Sequence, residues 1–381
     1  MTGAPSPICP FSPVERACFA RVAYSLPMTS APLPDPSLPR SNAIRDRSPL
    51  NGQSPNGSRN GTYPASALEA KPAKPRRKKI RVAGVIPCYN RPQDVNLLLK
   101  DLSRLDLRGI DLWVVLVDNA SSTPLAQTVQ VPANLRVEIF RAPSNTGGAG
   151  GFNTAMARVL AGEGLSGQFD PPDFMWMLDS DVRITRRCLQ RLLRVLKKNP
   201  DLFAAGSALH DQLTRQVYEI GGKLSEVNGF FYPAARGDVD RRFLVKCDYL
   251  AACSALVRRE AIEATGLMPD IFIHGDDVEW FLRMAQTTGK KMVGVPSAIA
   301  FHPLWVRKFQ TWVRYYTTRN AYAPIDTMGF GGLTRFRRAI VDTERALAQT
   351  MMGLDELAEL HIEGLTHAAE GKTKGYGPAG G

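Results

Sequence analysis

From Ile80 onward the chain is organised by short apolar runs, each of which stops at a small group of polar residues. Ile80 to Pro87 ends in Pro-Cys-Tyr-Asn-Arg-Pro, Leu112 to Val117 in Asp118-Asn119-Ala120-Ser121-Ser122, and Phe174 to Leu178 in Asp179-Ser180-Asp181. Another run, Leu135 to Phe140, leads into Asn145-Thr146-Gly147-Gly148-Ala149-Gly150-Gly151-Phe152 and then a helix to about Ala161. Runs this short and this apolar read as strands buried on both faces. The leucine spacing of Asp94 to Leu105 and the basic, amphipathic stretch Thr185 to Lys198 read as helices between them. Strands alternating with helices predict an α/β fold with a mostly parallel sheet and a site along its carboxyl edge.

Farther on, Gln216 to Arg236 reads as short aromatic and glycine-rich hairpins, and Val245 to Val257 as an apolar stretch leading into a helix over Arg259 to Thr265. Ile271 to Ile273 delivers His274-Gly275-Asp276-Asp277 to a helix over Val278 to Gln286. Met292 to Pro296 and Ala298 to Phe301 form a last strand that ends at His302, with helices beyond it.

Residues 1–79 hold 14 of the 28 prolines, with no sustained apolar periodicity. Such a segment cannot bury enough surface to offset its ordering entropy and is expected to be disordered. It also holds most of the charge: through Arg81 there are 13 Lys and Arg against 4 Asp and Glu, a balance of +9 out of the total +12. The folded part is therefore nearly neutral, and nucleic acid is not its expected partner. The basic cluster from Lys71 to Arg81 reads equally as a solvated linker or as a segment attracted to anionic lipid or nucleic acid.

No apolar run approaches the roughly 20 residues that span a bilayer, and the first thirty residues lack a signal-peptide pattern. The six cysteines contain no C-x-x-C pair and fit neither a disulfide scaffold nor a zinc ribbon. A reducing, cytoplasmic setting is the natural reading.

Asp179 and Asp181 carry the clearest chemistry. On an extended backbone, side chains at i and i+2 share a face, so the pair can grip one hard divalent cation such as Mg²⁺ or Mn²⁺ that bridges to a substrate diphosphate. His302, at a strand end, is either a core histidine or a third ligand, and imidazole beside two carboxylates suits Mn²⁺ better than Ca²⁺. Of Asp276 and Asp277, one suits the start of a helix and the other a general base. The glycine run is not a Walker loop, having no Gly-Lys-Ser/Thr ending, and not a dinucleotide fingerprint, since it follows the third strand. Its glycines let the backbone approach a ligand or a neighbouring strand, and the helix after it would turn N–H groups toward a diphosphate. There is no Gly-x-Ser-x-Gly elbow.

In this order the motifs resemble those of family-2 glycosyltransferases with the GT-A fold, over roughly Ile80 to Ala323. The resemblance rests on Val-Ile-Pro-Cys-Tyr-Asn-Arg, Val117-Asp118-Asn119-Ala120-Ser121, Asn145 with its glycines, Leu178-Asp179-Ser180-Asp181, Gly275-Asp276-Asp277-Val278-Glu279-Trp280 and His302. The glycine run, the Asp-Asp before a Trp-containing helix and Tyr315-Tyr316-x-x-Arg319-Asn320 are most similar to galactofuranosyltransferases and less closely to rhamnosyltransferases.

The resemblance implies a GT-A domain over residues 80–323, with a helical C-terminal region and tail over 324–381. It implies that Pro87, Tyr89 and Arg91 line the nucleotide pocket, that Asp118 binds the uracil-ribose end, and that Asn119, Asn145, Gly147, Gly148, Gly151 and Ser180 belong to the donor surface. Asp179, Asp181 and His302 would hold Mn²⁺ or Mg²⁺, Asp277 would be the base, Asp276 would orient a substrate, and Arg319 would help at the diphosphate. The implied partners are a nucleotide-sugar donor, UDP-galactofuranose or alternatively dTDP-rhamnose, and a glycan or polyprenyl-diphosphate-linked acceptor. The aromatic and basic stretch Trp305 to Arg319 would then touch that lipid or the inner face of the plasma membrane, or else pack on the core. Ser180 stands where galactofuranosyltransferases often have a third consecutive acid. The rival readings are a nucleotidyltransferase, which would want a glycine-rich, Arg-containing loop after its first strand, and a non-catalytic protein that keeps the fold.

Overall fold

A computed structural model of the chain describes residues 79–304 and 310–372. The expected disorder of the N-terminal segment, and Trp305 at the start of the aromatic stretch, lie outside the described residues.

Twelve strands run in chain order: β1 (Ile80–Cys88), β2 (Ile110–Asp118), β3 (Val137–Arg141), β4 (Phe174–Leu178), β5 (Arg183–Ile184), β6 (Leu202–Asp211), β7 (Val217–Glu219), β8 (Gly222–Leu224), β9 (Phe231–Pro233), β10 (Val245–Lys246), β11 (Ser254–Arg258) and β12 (Lys291–His302). The main sheet has the order β10-β12-β6-β11-β4-β1-β2-β3, with β5 paired to β12, β7 to β6, and β8 with β9 as a separate hairpin. β1, β2, β3 and β4 are mutually parallel, and β6 is parallel to β12. β11 lies antiparallel between β4 and β6, so those two run in one direction. Six strands thus end on one edge of the sheet, at Cys88, Asp118, Arg141, Leu178, Asp211 and His302. The α/β class is as expected.

Alternation along each strand builds a core on both sides. Val82, Ile86, Val114, Leu116 and Trp176 face the helices Pro92–Leu102 and Cys188–Lys198, while Ala83, Val85, Trp113, Val115 and Met175 face Gly147–Ala161 and Asp276–Thr288. Both helix layers bury aliphatic rows against the sheet, each fully buried Leu or Val contributing roughly 1.5–3 kcal/mol. In the C-terminal region, Gly332–Met351 and Asp355–Ala369 form a helical pair. Gly364 lets the second of these approach Val313–Arg319, since a Cβ there would lie 2.8 Å from the Tyr315 carbonyl.

Two local features depart from expectation. β6 is a fully buried ten-residue strand that the sequence does not announce, because its centre is Ala204-Ala205-Gly206-Ser207-Ala208. The glycine-rich helix starts at Gly147, not near Phe152, so the glycines form its first turn. Among the described residues no helix is long and apolar enough to cross a membrane.

Candidate active site

Asp179 and Asp181 follow β4 directly. They sit in a turn closed by the Val182 N–H donating to the Asp179 carbonyl at 3.3 Å, so the turn, not an extended backbone, makes the carboxylates converge. β5 then pairs with β12, Arg183 opposite Phe301, which sets the turn beside His302. The His302 Nε2 lies 3.2 Å from Asp181 Oδ1 and 3.6 Å from Asp179 Oδ2. Its other nitrogen, Nδ1, is 3.1 Å from the Tyr218 hydroxyl on β7.

Burial alone would lower the His302 pKa, but hydrogen bonds and charge from Asp179 and Asp181 outweigh it and push the imidazole up to about 9. A proton there stands in for a cation. Two carboxylates and one imidazole, with ligand atoms all within 4.8 Å of one another, form a donor set that fits Mn²⁺ or Mg²⁺. Were a cation bound, Nδ1–H donated to the Tyr218 oxygen would leave the Nε2 lone pair free to ligate it, the arrangement in which an outer partner fixes a ligand's tautomer.

The second pair of acids reaches the same cleft through β11. Because β11 runs against β4, with Ser254 opposite Leu178, the residues before it lie at the carboxyl edge. The Cys253 carbonyl accepts from the Asp179 N–H at 3.3 Å, and the adjacent Ala252 N–H donates to Asp277 Oδ2 at 3.1 Å. Asp277 Oδ1 accepts from the Val278 N–H at 2.8 Å. Burial raises Asp277, the two backbone donors pull it back, and it rests at about 6. Asp276 is more buried and is raised well above the carboxylate range, first by burial and then by the charge of Asp277.

Ile271 to Gly275, which present this pair, are held in an unusual shape. Phe272, His274 and Gly275 all have positive φ, at 67°, 64° and 84°. For a bulky residue such as Phe272 this is a strained conformation, which persists only when its surroundings over-determine it. Asn320 supplies the restraint, its side-chain amide reaching the carbonyls of Ile271, Ile273 and His274 at 2.7–3.0 Å. Arg319 is buried beside it, donates to the Ile271 carbonyl at 3.0 Å and stacks on Tyr315 and Tyr316. It is placed behind the Asp276-Asp277 loop. Tyr315 and Tyr316 are buried as well, so these members of the aromatic stretch pack on the core.

The nucleotide-side residues cluster at the ends of β1 and β2. Asp118 is buried, accepts from the Ser121 and Leu125 N–H groups and pairs with Arg141 at 2.6 Å, which together hold its carboxyl below the usual range despite burial. Asn119 ties β2 to the glycine turn, its amide donating to Asn145 Oδ1 and the Gly147 carbonyl and its oxygen accepting from Thr146. Arg91 reaches from these strand ends to the carboxylate turn, 3.3 Å from Asp181 Oδ2. Tyr89 is half-buried, and Ser180 is buried between the two aspartates.

The glycines serve close backbone approach. A Cβ on Gly151 would lie 2.6 Å from that of Pro87, and one on Gly147 would lie 2.1 Å from the Phe272 carbonyl oxygen. The helix N–H groups are partly spent, Gly147 N–H donating to Asn145 and Ala149 N–H to Phe272. Gly148 faces Asp276, whose Oδ2 would lie 4.0 Å from an added Cβ.

Sequence reasoning did not single out Tyr218, Glu219 or Ala252, and it named Asn320 only within the Tyr315-Tyr316-x-x-Arg319-Asn320 motif, without a role. Glu219 follows Tyr218 on β7; burial and then the charge of Asp277 push it up to about 7, and His302 draws it the other way. Its signal was an acid inside the apolar run Val217-Tyr218-Glu219-Ile220.

Residues 85–266 match Glycosyl transferase family 2. The chain is 25% identical over 266 residues to galactofuranosyltransferase GlfT2 of Mycobacterium tuberculosis, an alignment that covers 63% of this chain and 40% of the relative. Among solved structures it is similar to a mannosyltransferase, PcManGT, from Pyrobaculum calidifontis in complex with GDP-Man and Mn²⁺, at 16% identity and a TM-score of 0.48, covering 77% of this chain and 76% of that one. It is also similar to S. aureus TarS, at 14% identity and a TM-score of 0.45, covering 70% and 43%.

Proposed function

We propose that the chain is an inverting, divalent-metal-dependent glycosyltransferase that moves a sugar from a nucleotide donor to a hydroxyl of a glycan or polyprenyl-diphosphate-linked glycan. Residues 80–323 would carry the reaction and 324–381 would form an attached helical region. The observation that carries this reading is that the Asp179-Asp181-His302 cluster and Asp277 are tied to adjacent residues, Asp179 through its N–H to the Cys253 carbonyl and Asp277 through Oδ2 to the Ala252 N–H.

In this reading Asp179, Asp181 and His302 would hold a divalent cation, which would supply positive charge to the donor's diphosphate. Pro87, Tyr89, Arg91, Asp118 and Asn119 border the nucleotide pocket, and Gly147, Gly148 and Gly151 keep side chains out of the donor's path. Asp277, held by two backbone N–H groups and with a pKa of about 6, is ionised at neutral pH yet basic enough to take the acceptor's hydroxyl proton. That oxygen attacks the anomeric carbon from the face opposite the leaving nucleoside diphosphate. Asp276, whose carboxyl burial pushes well above its usual value, is placed to hydrogen-bond a sugar hydroxyl next to the reacting one.

For the donor we propose UDP-galactofuranose, supported by the motif similarity and by the GlfT2 alignment. An acceptor built on a lipid diphosphate would place the reaction at the cytoplasmic face of the plasma membrane. The experiment is a panel of nucleotide sugars with Mn²⁺ or Mg²⁺, followed for slow release of the nucleoside diphosphate without acceptor. Turnover of UDP-galactofuranose supports the assignment, turnover of dTDP-rhamnose alone moves the donor to the rhamnosyl class, and no turnover of any donor removes the enzyme reading.

A further inference from the structure

The Gly332–Met351 helix is amphipathic in the wrong sense for a surface helix. Its inward face carries Thr334, Arg338, Asp342 and Gln349, all buried, with Arg338 pairing to Asp342 at 2.6 Å and Gln349 meeting His361 at 3.1 Å. Its outward face carries Leu333, Phe336, Ile340, Leu347 and Met351, which are between 42% and 80% exposed. Leu333, Ile340 and Leu347 recur every seven residues, the spacing of a seam that meets another helix. A contiguous apolar stripe of this kind on an otherwise charged surface marks an interaction site.

The charges on the same face specify the partner. Arg337 and Glu344 are the exposed charged residues beside the stripe, seven positions apart and of opposite sign, with Ile340 between them. We propose that this stripe is the contact between two copies of the chain, the helix pairing with itself antiparallel about a two-fold axis near Ile340. That axis sets Leu333 against Leu347 of the second copy and brings Arg337 within one position of Glu344 of the second copy, and the reverse. A two-fold interface must be self-complementary, and this face is so in both its apolar and its charged residues. An anionic membrane surface would instead favour a basic border, whereas the border here sums to zero.

The test is the mass of the full chain in solution, by light scattering and sedimentation, across a range of concentrations. The wild type is expected to approach twice the 41.8 kDa chain mass. Ile340→Glu should yield the single-chain mass. Arg337→Glu and Glu344→Arg should each weaken the dimer about tenfold, and the two together should restore it, a pattern that loss of folding cannot mimic. Thermal unfolding of each variant checks that the fold is intact, since these side chains face solvent. A wild type that stays at one chain mass, a dimer that survives Ile340→Glu, or a double variant no better than the singles would overturn the proposal. So would a single-chain species whose sedimentation with anionic vesicles is lost in Ile340→Glu, which would give the stripe to lipid.

Discussion

The Tyr218 hydroxyl lies 3.1 Å from Nδ1 of His302, while Nε2 of the same ring faces Asp181 at 3.2 Å. One ring nitrogen is thereby fixed by a neutral partner and the other is aimed at two carboxylates. Tyr218→Phe removes the orienting oxygen and keeps the ring's bulk. The expected result is a 10- to 100-fold weaker Mn²⁺ affinity, measured as a higher metal concentration at half-maximal rate, with thermal stability little changed. Unchanged metal dependence would make the contact incidental.

Asn320→Ala removes an amide that reaches three carbonyls of a strained loop. Loss of these bonds should lower stability by about 2–3 kcal/mol and release the positive-φ residues before Asp276. The turnover rate should fall more than donor binding, because the loop carries the base and not the metal ligands. Steady-state kinetics beside thermal melts separate the two effects.

The pH profile follows from Asp277. A carboxylate with a raised pKa is protonated, and useless as a base, below that value, so activity should rise as pH increases through about 6 and level off above it. Cation binding next to Asp179 relieves repulsion on Asp277 and moves this limb downward, never upward. A limb well above pH 7 would argue that another group, Glu219 at about 7 being the nearest candidate, takes the proton.

Gly147→Ala tests the packing of the glycine turn. The residue has φ of 74°, and a Cβ would lie 2.1 Å from the Phe272 carbonyl oxygen. The variant should lose at least about 2 kcal/mol of stability from the left-handed conformation and the clash together, read as a fall in melting temperature. Gly162→Ala, also at positive φ but in open space, should lose only the conformational part.

How far the sequence could be read depended on whether a feature was local. β1, β2 and β4 are uniform apolar runs, and their ends at Cys88, Asp118 and Leu178 follow the boundaries expected within a residue or so. β6 was hidden because its residues must be small: a Cβ on Gly206 would lie 2.5 Å from Leu250. Glycine is a poor helix former, which disguised the first turn of Gly147–Ala161, yet Pro87 and Phe272 leave no room for side chains there. The candidate metal ligands were legible as residue types, while the turn that joins two of them was not. Tyr218, Ala252 and Asn320 act across 84, 25 and up to 49 positions in sequence, and no local pattern encodes such partners.

The most direct test of the central claim is the rate of sugar transfer by Asp277→Asn with donor and Mn²⁺ both saturating. The amide preserves the side-chain shape but cannot accept a proton, so the rate should fall by roughly 10²–10⁴-fold while Mn²⁺ affinity weakens only about as much as the charge coupling to Asp179 requires, far less than the rate. A variant that transfers sugar within a few-fold of the wild-type rate would contradict the account.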